Sequence, residues 1–184
     1  YGTDGVFTVV LTATNECGSV SSEMNVAIAT AGPVALFSSS AESGCAPFEV
    51  QFFNESSANT ETIEWSFPGG NPSTSTDENP TVVYDTPGEY DVTLTATNPN
   101  GDDVYTLTQF ITVLAGPVAA FSTDVMGPSV DFTNLSTGAD TYSWFFGEGG
   151  LSGMENPTYT YDQTGTYPVV LVVENICGVD SFFL

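Results

Sequence analysis

The chain has 184 residues, 23 of them acidic, and contains no lysine, arginine or histidine. A formal charge of −23 excludes nucleic acid, whose phosphates are held by Lys and Arg, and anionic membrane surfaces. No apolar run approaches the ~20 residues of a membrane-spanning helix, and histidine-dependent nucleophilic systems and arginine phosphate clamps cannot be built. No catalytic role is therefore expected, and no side-chain salt bridge can form. Each carboxylate must be solvated, bonded to amides or hydroxyls, or bound to a cation. Hydrophobic content of 41% suffices for a core, and the prevalence of Thr, Val, Ser, Gly, Phe and Tyr favours strands and turns.

In chain order, the first stretch is "YGTDGVFTVVLTATNECG" (Tyr1 to Gly18), an alternating strand running into a turn. A joint follows, "ATAGPVALF", and then turn signals every ~8–12 residues, the spacing of short antiparallel strands: "SGCAP", "FPGGNPSTSTDENP", "DTPGE" and "NPNGDD". Between them lie "IEWSFPGG", with Trp65 on a strand before a Gly-rich turn, and "YDTPGEYDVTLTATNPNG" (Tyr84 to Gly101). There Tyr90, Val92, Leu94 and Ala96 alternate with Asp91, Thr93, Thr95 and Thr97, the period of a half-buried strand. A second joint, "VLAGPVAAF", leads to "YSWFFGEGG" with Trp144, then "YDQTGTYPVVLVVENICG" (Tyr161 to Gly178) and "SFFL".

"AGPVALFS" (Ala31 to Ser38) returns as "AGPVAAFS" (Ala115 to Ser122), 84 residues later. The Tyr84 stretch has copies displaced by 83 and 77 residues. Such a period marks an array of domains rather than a solenoid. Residues 1–31 read as the closing part of one module, 32–115 as a whole module, and 116–184 as a module lacking its last residues. The chain thus reads as a segment of a longer polypeptide. Two or three residues separate the strands at each joint, and Pro33 and Pro117 stiffen them. A semi-rigid array with one Gly hinge per joint follows. Pro80 and Pro157 start strands, where a missing N–H does least harm, and Gly88 and Gly165 are expected at positive φ.

The combined pattern in "YSWFFGEGG…ENPTYTYDQTGTYPVVLVVEN" and "IEWSFPGGNPSTSTDENPTVVYDTPGEYDVTLTATN" resembles the polycystic kidney disease (PKD) domain: an aromatic, Trp, F-G-D-G, N-P-x-x-x-Y, then G-x-Y-x-V-x-L. Phe145, Glu148 and Pro68 depart from it. The resemblance covers essentially the whole chain. It implies tandem immunoglobulin-like antiparallel β-sandwiches, all-β, of the kind found in secreted and surface proteins of Bacteroidota-type bacteria. The implied core is Trp65, Trp144, Tyr90, Tyr167, Leu94 and Leu171, with the two tyrosines at an immunoglobulin-type strand corner.

Calcium takes six to eight oxygen ligands. Asp102 and Asp103 in "NGDD", with Asp77 and Glu78 in "TDEN", are the candidate Ca²⁺ residues, set against the reading of plain solvated turns. Asn54-Glu55-Ser56 and Asn134-Leu135-Ser136 fit a glycan acceptor or simply a polar turn. Val170 and Val172 alternate with Leu171 and Val173, so that strand is apolar on both faces, and Val10 repeats this in the first copy. With Phe182 and Phe183 they form the candidate interface for self-association or neighbouring modules. Three cysteines cannot all pair within one chain. In PKD relatives a "GCAP"-like cysteine often faces an "N-x-x-G-C"-like one at the end of the same module, but Cys45 has no such mate near "NPNGDD", nor Cys177 near "MGPSV". A bond from Cys17 to a residue upstream, or across the joint to Cys45, stays open. Cys45 and Cys177 are expected as buried free thiols.

The expected function is a non-catalytic, extracellular or cell-surface segment: a stalk, adhesin or filament-forming unit. The alternative is an accessory module of a secreted hydrolase, binding polysaccharide or a host or cell-surface protein.

Overall fold

The computed structural model describes residues 5–28 and 31–184, and within them every regular element is a β-strand. The first copy supplies a hairpin of β1 (Gly5–Asn15) and β2 (Gly18–Ile28), paired from Gly5↔Ile28 to Asn15↔Gly18. The middle copy runs β3 (Phe37–Ser39), β4 (Ser43–Cys45), β5 (Phe48–Asn54), β6 (Thr62–Ser66), β7 (Thr74–Ser75), β8 (Thr81–Tyr84), β9 (Gly88–Asn98) and β10 (Gly101–Leu114). The third continues with β11 (Phe121–Met126), β12 (Ser129–Asn134), β13 (Thr141–Phe145), β14 (Leu151–Ser152), β15 (Thr158–Thr160), β16 (Val170–Asn175) and β17 (Gly178–Phe183).

In the middle module one sheet has the order β3-β5-β8 and the other β4-β10-β9-β6-β7. Between them lie Trp65, Phe52, Phe67, Val50, Val82, Val92, Leu94 and Ile111, all fully buried. The third module repeats this with sheets β11-β12-β15 and β14-β13-β16-β17 around Trp144, Phe132, Phe146 and Leu171. The period-2 reading of β9 holds: Val92, Leu94 and Ala96 are buried while Asp91 and Thr97 face solvent. Each indole spans the sandwich and satisfies its one donor, Trp65 Nε1–H to the Asp77 carbonyl at 3.0 Å and Trp144 Nε1–H to the Met154 carbonyl at 2.8 Å. That removes the desolvation cost of a buried N–H.

The corner tyrosines close the same end of each module. Tyr90 Oη donates to the Thr86 carbonyl and Tyr167 Oη to the Gln163 carbonyl, at 2.6 and 2.9 Å. The expected positive φ is met at Gly88 and corrected at Gly165. Gly165 does not adopt it, and Gly88 at 159° sits at the border of extended backbone. The position that requires glycine is Gly69, with φ 81° and a Tyr90 ring carbon 2.2 Å from where its Cβ would lie.

In β10 the register shifts between Leu107 and Ile111, with Gln109 at φ 52°. The Gln109 N–H donates to Asp91 Oδ1 at 2.7 Å, and its carboxamide reaches Glu89. Four steps along β10 here face two along β9, so the bulge adds two residues, and Ile111 and Val113 beyond it are buried in the core.

The Tyr84 hydroxyl is buried without a hydrogen-bond partner, and its pKa is pushed up to about 12, first by burial and then by neighbouring Tyr90. The folded chain thus keeps a proton that the unfolded chain loses near pH ~10. This stability is full below pH ~10 and lost as pH rises through 12. Tyr84→Phe removes the orphan hydroxyl and should melt at or above the parent temperature at pH 8, with a shallower decline toward pH 12, read by thermal unfolding. Trp144→Ala should destabilise the third module by about 3–5 kcal/mol, measured by denaturant unfolding.

Candidate functional site at the joint between modules

The closing hairpin turns of the middle and third modules each carry an asparagine that folds back onto the linker before its own module. Asn98 Nδ2 donates to the carbonyls of Ala31 and Asn59, at 3.3 and 3.0 Å, while its Oδ1 accepts the Asn100 N–H at 2.9 Å. Asn175 does the same one module later: Nδ2 to Ala115 and Gly138 carbonyls at 3.0 and 2.7 Å, and Oδ1 from the Cys177 N–H at 2.7 Å. In the first hairpin Asn15 Oδ1 accepts the Cys17 N–H at 2.8 Å. The turn geometry is thus one motif used three times, and at Asn98 and Asn175 it brings the hairpin tip to the linker.

A carboxylate fastens the other side of the linker. Asp103 Oδ2 accepts the Ala35 N–H and Asp180 Oδ2 the Ala119 N–H, each at 2.8 Å. With no cation in the sequence, these backbone amides supply the charge-assisted donors that a lysine or arginine would otherwise give.

Across the second joint the two modules are covalently joined. Cys45, in β4, is bonded to Cys177, in the β16–β17 turn, with a Cα–Cα distance of 5.4 Å and a sequence separation of 132 residues. The expectation of buried free thiols at these positions is therefore corrected. Cys17 is an exposed free cysteine and does not bridge to Cys45. The physical reason lies in the strand order. β4 runs parallel beside the end of β10, Thr112↔Ser43 to Leu114↔Cys45, and the Ala46 N–H donates to the Leu114 carbonyl at 3.1 Å. Cys45 therefore stands at the exit of the middle module, and Asn175 holds Cys177 at the entrance of the next. In the chain-entropy picture a loop of this length is worth at most about 5 kcal/mol.

The acidic residues proposed for calcium do not assemble. Asp103 is engaged by Ala35, while Asp102 is exposed in the same hairpin. Asp77 Oδ2 accepts from Ser75 Oγ at 3.2 Å, and Glu78 Oε1 accepts from Asn54 Nδ2 at 2.9 Å. Among the described residues no three Asp, Glu, Cys or His side chains gather into a metal-holding group. The Asn54 and Asn134 side chains each accept the N–H of the serine two residues on, at 3.0 Å, which is the polar-turn role.

Of the interface candidates, Val10 is exposed, and Val170 and Val172 are half-buried on the outer face of β16. Phe183 is the cross-strand partner of Val170 and is 73% exposed. Phe182 lays its ring 5.3 Å edge-on to Phe121 and is still 38% exposed. The sequence-named core residues Trp65, Trp144, Leu94 and Leu171 are fully buried, and Tyr90 and Tyr167 pack at the edges of the two cores.

A family model for the PKD domain matches residues 30–113 and again 115–182. The chain belongs to the PKD domain family. The pre-pro-metalloprotease PrtV of Vibrio cholerae serotype O1 is 36% identical over 89 residues, 46% of this chain and 10% of that protein. The chain thus spans about a tenth of that curated relative. Among solved structures, the PKD1 domain of Vibrio cholerae PrtV is 36% identical, covering 37% of this chain and 90% of its own, with a TM-score of 0.35. The PKD1 domain of Vibrio anguillarum Epp is 32% identical, covering 37% and 87%, with a TM-score of 0.35. The fold is tandem immunoglobulin-like β-sandwich. A PKD domain of this kind is thus found within a bacterial metalloprotease precursor.

Two outcomes test the joint. Asn98→Ala, which strips a buried carboxamide from three partners, should cost about 1–3 kcal/mol in denaturant unfolding of the middle module. Cys45→Ser and Cys177→Ser should leave both modules folded but broaden the distribution of module–module distances in small-angle X-ray scattering. A profile identical to the oxidised parent would assign the rigidity to the hydrogen bonds alone.

Proposed function

We propose that this PKD chain is a non-catalytic, extracellular structural segment in which linked sandwiches act as a stiff spacer of a larger surface or secreted protein. The observation that carries the reading is the Cys45–Cys177 bridge across a joint already held by Asn175 and Asp180. A flexible tether needs neither, and a Gly/Ser linker would be the economical choice for one. The bridge also argues for an oxidising compartment, where disulfides persist. The absence of Lys and Arg from the sequence leaves trypsin-like proteases no cleavage site, which suits an exposed stalk. The outer strip of Val170, Val172 and Phe183 suits lateral contact between such segments.

A second reading, an accessory module assisting a secreted hydrolase, is favoured by the match to the Vibrio metalloprotease precursor. The two differ in what the chain retains. A spacer should pass unretarded over insoluble polysaccharides and over immobilised protein substrates, and should appear as extended, uniform particles in negative-stain electron microscopy. Saturable retention on either material would favour the accessory reading and count against the spacer.

A further inference from the structure

The middle and third modules carry the same outward row of four side chains in opposite chemistries. In the middle module the row runs Thr74, Ser66, Thr93 and Thr106, one each from β7, β6, β9 and β10, paired in turn across the strands. In the third module the matching row is Leu151, Phe145, Val170 and Phe183, on β14, β13, β16 and β17. Leu151 is 69% exposed, Phe145 44% and Phe183 73%, with Val170 half-buried between the two rings. Thr106 stays exposed although β10 runs on to Leu114, so the outward direction at the matching place of Phe183 follows from register.

Charge changes with the row. The middle face holds four exposed acids, Glu64, Glu89, Asp91 and Asp102. Their sequence places in the third module are taken by Ser143, Thr166, Pro168 and Val179, and Glu174 is the one acid facing outward from β13, β14, β16 and β17. A cationic partner would be drawn to the acidic face instead, and a neutral one is indifferent to the exchange. A partner carrying the same charge of −23 requires it, because like charges juxtaposed across a contact repel. With no lysine or arginine in the sequence, no contact between copies can be built from side-chain ion pairs. It has to be apolar and cleared of acids, and this face is both.

We propose that the outer sheet face of the third module is a homotypic contact, mating with the same face of a second copy of the chain. The proposal rests on the spacer reading and names the partner for its lateral contact. A two-fold axis along the strands, midway between β13 and β16, exchanges Phe145 with its cross-strand neighbour Val170. Phe145 of each copy then meets Val170 of the other, a large side chain over a small one. The same axis sets Thr141 over Glu174 of the second copy, since these two are also cross-strand neighbours, and the hydroxyl can donate to that carboxylate. Four strands span only about 14 Å, too little for the ~800 Å² per partner of a standard interface. The contact is therefore weak and reversible, and repetition along neighbouring chains would reinforce it.

The test uses the full chain carrying Cys17→Ser, so that the exposed thiol does not cross-link copies. Sedimentation equilibrium should show a monomer–dimer exchange with a dissociation constant of about 1 mM or tighter. Raising NaCl from about 0.05 to about 0.5 M should tighten it severalfold by screening the repulsion between copies. Amide NMR shifts that vary with protein concentration should map to Phe145, Val170 and Val172. Phe145→Glu with Leu151→Glu should weaken the dimer by at least about tenfold. Thr74→Glu with Thr106→Glu, which adds the same charge to the middle face, should leave the NMR map and the dimer in place. The proposal is overturned by a chain that stays monomeric at about 1 mM in both salts, by a dimer that loosens as salt rises, or by one that survives the Phe145 and Leu151 substitutions. A strictly monomeric chain that still forms uniform extended particles in negative stain would remove the pairing and keep the spacer. Retention on polysaccharide with the dimer intact would count against the spacer and keep the pairing.

Discussion

The arrangement of the modules depends on one side chain, the asparagine carboxamide at the tip of each closing hairpin. A linker only two or three residues long leaves carbonyls that no strand pairs, and these need donors from side chains or solvent. Asn98 and Asn175 answer this with two N–H donors each, while their oxygens fold the turn itself. The hairpin tip is thereby fixed against the entrance of its module. In the third module this leaves the residue two places past the asparagine facing the preceding module. That residue is Cys177, and the preceding module presents Cys45. The disulfide is thus a consequence of the turn rather than an independent device.

A sequence with no positive side chain has to neutralise its carboxylates in other ways, and the structure shows how. Asp103, Asp180 and Asp91 each accept a backbone N–H at a place where the chain changes direction. The outer faces of the hairpins rely on hydroxyls instead of ion pairs: Thr12 with Ser21, Thr14 with Ser19, and Thr93 with Thr106 are cross-strand hydrogen bonds of 2.8–2.9 Å. Neutral pairs of this kind are insensitive to salt, whereas surface ion pairs are screened by it. The third module abandons the hydroxyl ladder on β16 for Val170 and Val172 beside Phe183, so its outer face is the apolar one.

Much of the fold was legible because local chemistry and global position agree. Trp65 and Trp144 sit on period-2 strands before glycine turns, and both are core residues with satisfied indoles. Tyr90 and Tyr167 close their corners as the G-x-Y spacing suggested. The cysteine pairing was not legible, because it joins residues 132 positions apart through a joint geometry that no local pattern encodes. The acids of "NGDD" and "TDEN" looked like ligand clusters because sequence proximity shows charge but not direction. Asp103 turns toward Ala35, and Glu78 toward Asn54. Phe182 and Phe183 looked alike as neighbours, yet strand alternation sends the first to Phe121 and the second to solvent.

The most direct test of the joined-module account is a disulfide map of the natively oxidised chain. The protein would be alkylated without reduction, cleaved by a Glu-specific protease because trypsin has no site, and read by mass spectrometry. The account predicts one cross-linked species containing Cys45 and Cys177, with Cys17 alkylated. Alkylated Cys45 and Cys177, or a bridge from either of them to Cys17, would contradict it.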